Sequence, residues 1–262
     1  MQIITLTTDL GIKDHYVAAV KAEIYNGINQ ANIVDISNMI NKFDIQQAAH
    51  VFKSCYKDFP EKTIHIISVN DELTNENPHL VIEYKNQFII GPDNGIFSLI
   101  FNEIMPERIF LININQATNL LTFAAKDIFV KVACHIARGG TLEMIGTKIN
   151  NFHNTVTSLK PVIEKNIIRG IVLNIDSYGN CITNINIDTF KDTGLGRNFS
   201  IIYGNENQKI EKIHKKYKDQ MEGERLAMFT SDGFLEISIN QGRASSLLGI
   251  NLFDSIRIEF KL

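Results

Sequence analysis

The chain has 262 residues, 44% of them hydrophobic, a formal net charge of −3 and three cysteines. That apolar content excludes a disordered chain, and the near-balanced charge supplies no global field for nucleic acid. Cys55, Cys134 and Cys181 form no CxxC pair, which argues against a disulfide scaffold or a structural zinc site and fits a reducing cytoplasm. No apolar run approaches the ~20 residues that cross a bilayer, and the N-terminus shows no signal-peptide pattern, so neither a membrane nor a nucleic-acid partner is expected.

Taken in order, Ile3–Thr8 reads as an apolar strand closed by Asp9, with a turn at Leu10-Gly11. A carboxylate there occupies the carboxyl end of a strand, where open α/β sheets hold ligands. Tyr16, Val20 and Ile24 at four-residue spacing predict a helix stopped at Asn26-Gly27. Asp44 and Gln47 resemble a capping box ahead of an Ala48–Phe52 stripe. Thr63–Val69 reads as a strand buried on both faces, and Leu80–Tyr84 with Phe88–Ile90 as a hairpin around Lys85-Asn86. Arg108–Ile112 is a further strand, and Asp127 is expected to cap a helix running to Gly139-Gly140. Beyond residue 165 the pattern changes to short alternating strands, including Ile167–Ile175, Phe234–Ile239 and Ser255–Phe260. The expected organisation is an α/β domain over residues 1–155, with a mixed, mostly parallel sheet flanked by helices, and an all-β domain over 166–262.

The second half repeats the acidic strand end: Ile171–Ile175 runs into Asp176, then Ser177-Tyr178-Gly179-Asn180. Two such ends suggest a polar small-molecule site assembled from both halves. Lys209, Lys212, His214, Lys215, Lys216 and Lys218 form a basic cluster, but Glu211 and Asp219 interrupt it and no aromatic ladder accompanies it, so a solvated face is expected. The seven histidines contain no HxxxH or HxH pair, and no metal site is expected.

Several segments together resemble one family. They are Thr8-Asp9-Leu10-Gly11 with Asp14, Tyr16 and Lys21; Val34-Asp35-Ile36-Ser37 with Phe43-Asp44; Pro92-Asp93-Asn94-Gly95; Asp176–Asn180 with Thr183-Asn184-Ile185; and Ser231–Ile237 with Asn240 and Gly242. Their order and spacing are similar to those of the S-adenosylmethionine (SAM) hydroxide adenosyltransferases, which include the fluorinases and chlorinases. The resemblance implies a barrel-like C-terminal domain and a homotrimer with its nucleoside site at the subunit interface. It also implies a reaction in which a nucleophile displaces methionine from C5′ of the ribose. SAM is then substrate or ligand, and no cofactor is required.

That chemistry suits the residues present. A carboxylate at Asp9 can accept both hydroxyl protons of a ribose diol. Asp176 is a partner for the methionine ammonium and Ser231 for its carboxylate. Phe43 and Tyr178 offer flat walls to the adenosyl group, and Asn180 a donor and an acceptor to the adenine edge. Asp9 equally suits a turn cap, and either aromatic suits the core.

The chain departs from the hydrolase pattern at its catalytic set. Asn70 stands where the family has an acid in VDPGVG, Asn77 where it has an arginine, and Ala124 where it has the histidine of FHGRD. Water must lose a proton to attack, and general-base help is worth ~100- to 10,000-fold, which an amide or methyl cannot provide. A one-residue slip brings Asp71 to the site as a substitute base, with His79 or Glu76 nearby; a halide nucleophile needs no base. Two functions therefore fit: a SAM-cleaving enzyme with altered nucleophile activation, or a catalytically silent trimeric SAM- or adenosine-binding protein acting as sensor or structural element.

Overall fold

Strand β1 (Gln2–Thr8) is buried toward both faces from Ile4 onward, the mark of a strand covered by helices on each side. It is followed by α1 (Tyr16–Gly27), β2 (Ala31–Ser37), α2 (Ile45–Lys53), β3 (Ile64–Ser68), β4 (His79–Tyr84), β5 (Gln87–Pro92), α3 (Ile96–Ile100), β6 (Arg108–Ile112), α4 (Val130–Ala137) and β7 (Gly146–Ile149). The structure, a computed structural model, describes residues 1–101, 104–114, 122–204 and 209–261. Two units divide the chain, Met1–Ser158 and Leu159–Leu262. In the first, the sheet order is β2-β1-β3-β5-β4-β6-β7. β2, β1, β3 and β5 pair in parallel, and β4, β6 and β7 continue the sheet in antiparallel pairs.

Period-two alternation sorts the side chains of this sheet between two helical layers. Ile64, Ile66, Val81, Ile90 and Phe110 pack with Val20 and Ile24 of α1 and with Val132 and Ala133 of α4. Their neighbours Ile67, Leu80, Ile82, Ile89 and Ile109 face Phe52 of α2 and Phe97 of α3. Each such side chain contributes roughly 1.5–3 kcal/mol when fully buried, so a one-residue slip of any central strand costs several of these at once. The expected β4–β5 hairpin forms, with Lys85 at φ 49° and Asn86 at φ 58° supplying the two left-handed residues of a tight turn.

The second unit contains β8 (Val162–Glu164), β9 (Ile167–Ile175), β10 (Cys181–Asn186), α5 (Ile187–Gly194), β11 (Phe199–Tyr203), β12 (Lys209–Ile210), β13 (Arg225–Phe229), β14 (Phe234–Ile239), α6 (Ala244–Leu248) and β15 (Ser255–Phe260). The antiparallel order is β12-β11-β15-β9-β10-β14-β13, with β8 added against β9. A bridge from Ile213 to Ala227 and the bond from His214 N–H to the Ala227 carbonyl bring the chain after β12 against β13, so the sheet nearly closes on itself. Among the described residues, no helix is long and apolar enough to cross a membrane.

Three local expectations change. Asp127 caps nothing: a π-helical turn spans Ala125–Phe129 behind Ala124, and Asp127 lies inside it, paired with Lys126 at 2.9 Å. The second unit is not purely strand, since α5 and α6 join β10 to β11 and β14 to β15. The basic cluster is not wholly solvated, because His214 is buried by its pairing to β13. By contrast, the Asp44 carboxylate accepts from Gln47 N–H at 2.9 Å and starts α2, while the Gln47 side chain takes Asn41 N–H at 2.7 Å. Asp44→Ala leaves that first-turn donor unpaired and is expected to lower stability by about 1 kcal/mol, read as a lower urea midpoint with an unchanged slope.

Candidate functional site

The carboxyl ends of β1 and β3 lie side by side, because Thr8 pairs with Ser68. Asp9 leaves β1 with its N–H on the Ser68 carbonyl at 3.3 Å. Its carboxylate accepts from Phe43 N–H at 2.9 Å, and its own carbonyl accepts from the Lys42 ammonium. Asp9 therefore braces the chain at residues 42–43 while remaining only half-buried. Phe43 pays a conformational penalty there: its φ is 66°, in the left-handed region that bulky residues avoid, and the residue is 70% exposed. The left-handed Phe43 thus stands exposed beside the Asp9 carboxylate.

Asp71 turns back toward this edge. Its carboxylate accepts from the Ser68 hydroxyl at 2.7 Å, and its carbonyl accepts from His79 Nε2 at 2.9 Å. That bond fixes the proton of His79 on Nε2, because a carbonyl can only accept. The other ring nitrogen, Nδ1, is shielded and has no hydrogen-bond partner among the described residues, and the ring packs edge-on against Phe129. Burial is the first cause that raises the Asp71 pKa; the Ser68 bond and His79 oppose it, and the charge of Asp9 adds to it. Burial likewise lowers the pKa of His79. Asp71 and His79 thus come together, whereas Glu76 is exposed and meets Asn154 only through its carbonyl.

Amide side chains clamp the loop that carries Asp71. Asn94 Nδ2 donates to the Val69 and Asn70 carbonyls at 2.9 and 3.0 Å, and Asn77 Nδ2 to the Asn70 and Glu72 carbonyls at 3.3 and 2.8 Å. Asn154 reaches the Glu76 carbonyl at 2.5 Å, and Asp93 N–H holds the Pro78 carbonyl at 2.7 Å. Asn70 itself is exposed at φ 50°, Asn77 is spent on the loop, and Ala124 is packed in the core beside Ile128 and Phe129. None of the three presents a base. Ser68, Asn94 and Asn154 escaped sequence reasoning; of these, only Asn94 carried a signal, as a member of the Pro92–Gly95 turn.

In the second unit a cavity of about 700 Å3 is lined by Ser177, Tyr178, Asn180, Tyr217 and residues 239–243. Tyr178 is 76% exposed on its rim, and Asn180 is buried at its edge. Asp176 accepts from Asn180 N–H at 2.9 Å and from Asn180 Nδ2 at 3.0 Å, so the Asn180 donor is occupied within the turn rather than offered to a base edge. Ser231 does not line this cavity. It lies in the turn joining β13 to β14, where Gly233 N–H meets the Thr230 carbonyl, at the opposite end of that hairpin from the Arg225–Ile239 pair.

Residues 4–146 match the family profile described as the SAM hydroxide adenosyltransferase N-terminal domain, and residues 170–257 match that of its C-terminal domain. An (R)-S-adenosyl-L-methionine hydrolase from Methanocaldococcus jannaschii is 32% identical, over 98% of this chain and 96% of that protein. A fluorinase from an Actinoplanes species is 21% identical over 74% of this chain and 75% of its own. The crystal structure of an uncharacterized conserved protein from Thermotoga maritima superposes with a TM-score of 0.88 at 31% identity, covering 98% of this chain and 99% of that one.

Two consequences of this geometry are measurable. The folded state binds the Asp71 proton more tightly than the unfolded chain, so this contribution to stability is full below the ordinary carboxylate range and is lost as pH rises through the raised value. Asp71→Asn is therefore expected to melt higher than wild type at neutral pH, with the gap closing in acid. Phe43→Gly removes the left-handed penalty while forfeiting little burial, and is expected to raise stability by about 1 kcal/mol, read in the same melts.

Proposed function

The chain belongs to the SAM hydroxide adenosyltransferase family, and we propose that it hydrolyses SAM with Asp71 as the general base. The observation that carries this reading is the half-buried Asp71 carboxyl, held by Ser68 and close enough to Asp9 to feel its charge. Water attacks C5′, the C5′–S bond breaks, and its electron pair leaves with sulfur, which departs as neutral methionine. The water proton passes to Asp71, giving adenosine. The sulfonium needs no general acid, so one base is sufficient.

Asp9 is the ribose anchor, with the strained Phe43 beside it as a wall. Tyr178 supplies a stacking face for the base. Each Asp176 oxygen already accepts one bond from Asn180 and keeps a second lone pair for the methionine ammonium. Asp71 supplies the base that water needs and a halide does not, which supports water over halide. The active state in this reading is a homotrimer with the nucleoside at the subunit interface, an expectation that light scattering after gel filtration tests. A cytoplasmic setting fits the three free thiols.

A second reading, a silent adenosyl-binding protein, is favoured by Asn70, Asn77 and Ala124 at the family's catalytic positions. Incubation with each sulfonium epimer of SAM, the (R) form named for the archaeal relative included, separates the two. Adenosine and methionine are expected in equal amounts, unaffected by chloride, with Asp71→Asn slower by ~100-fold or more. Tight adenosine binding without turnover of either epimer would leave the silent protein.

A further inference from the structure

Glu236 lies on β14 at a position where alternation points away from the barrel core, since Leu235, Ile237 and Ile239 fill that core. It is nevertheless 4% exposed. The segment that covers it is clipped to the same face of β14 at two places. The Tyr217 hydroxyl donates to the Glu236 carboxylate at 2.9 Å, and Asn240 Nδ2 donates to the Gln220 carbonyl at 2.9 Å. Ser238, between them on that face, also donates to Glu236. Among the described residues, no cation pairs with this carboxylate, while Asp176 and Asp232 are near enough to oppose its charge. A buried acid with only hydroxyl partners is an expensive arrangement, and one of those hydroxyls belongs to a residue lining the cavity.

We propose that Glu236 is a positioning residue: through the Tyr217 hydroxyl it fixes that ring as a second aromatic wall beside Tyr178, so that the cavity selects a planar base. Tyr217 sits in a short turn, Tyr217–Asp219, within a lysine-rich stretch with little apolar anchorage of its own. The Asp219 carboxylate holds Lys215 and Lys216 N–H at 2.9 and 3.1 Å, which shapes the turn but does not orient the ring. Orientation comes from the phenol. Burial and the Glu236 charge push the Tyr217 pKa up to about 12, so the hydroxyl stays a donor throughout the physiological range.

The inference rests on the nucleoside reading of the cavity, and the experiment separates the two. Adenosine affinity is measured by calorimetry for wild type, Glu236→Gln, Glu236→Ala, Tyr217→Phe and the Glu236→Ala/Tyr217→Phe double variant. Glu236→Gln keeps an acceptor for the phenol and is expected to bind within about threefold of wild type. Glu236→Ala and Tyr217→Phe are each expected to bind roughly tenfold more weakly, with the double variant no weaker than either, because both remove one link. Turnover of SAM is expected to show a raised KM at unchanged kcat. Additive losses in the double variant, or a Glu236→Gln as impaired as Glu236→Ala, would overturn the positioning role. Proton NMR supplies a readout independent of any ligand: a slowly exchanging Tyr217 hydroxyl proton, present in wild type and lost in Glu236→Ala. If wild type ignores adenosine but keeps that proton, the nucleoside reading fails; if the proton is equally protected without Glu236, the positioning fails.

Discussion

Partial burial of the Asp71 carboxyl is the constraint around which the first unit's candidate site is arranged. Such a group costs several kcal/mol when ionised without compensation, and here the compensation is the Ser68 hydroxyl bond, the nearby His79 ring and a backbone N–H of Asp71 itself. It can be kept in place only if the loop carrying it has nowhere else to go. Asn77, Asn94 and Asn154 meet that need by taking up loop carbonyls with their amide donors. The parallel pairing of β1 with β3 then sets Asp9 at the adjacent strand end. Sheet register, amide clamp and half-buried acid form one dependency.

The second unit uses the same physics differently. There a buried acid, Glu236, faces hydroxyl groups from Tyr217 and Ser238, and burial, with the nearby acids adding to it, pushes the Cys181 thiol up to about 12. Cys181 is therefore an inert core thiol rather than a nucleophile. Each unit also sets a cation beside its acids: the Lys42 ammonium donates to the Asp9 carbonyl, and Arg243 lines the second-unit cavity.

The strands and their acidic ends were readable from local pattern because their causes are local. The Asp44 cap and the Lys85-Asn86 turn depend on residues within a few positions of one another, whereas Asp9 is held by Phe43 and Ser68 from other segments. Asp71 with His79 was readable only as an alternative, since a choice between Asn70 and Asp71 depends on a loop closed by Asn94 and Asn154, 25 and 78 residues from the atoms they hold. Glu236 was misleading in isolation: alternation along β14 says exposed, and only the arrival of Tyr217 from another segment buries it. Asp127 failed as a cap because the chain makes a π-helical turn that no capping pattern signals.

The near-closure of the second sheet has a further outcome. An open antiparallel sheet ends in strands whose free N–H and C=O groups invite strand addition by another chain. Here the short β12 and the longer β13 are those ends, and the Ile213–Ala227 bridge with the His214 bond draws backbone across the outer side of β13. That cover blunts templated aggregation at the edge where it is easiest, and leaves association to side-chain surfaces, which can be specific.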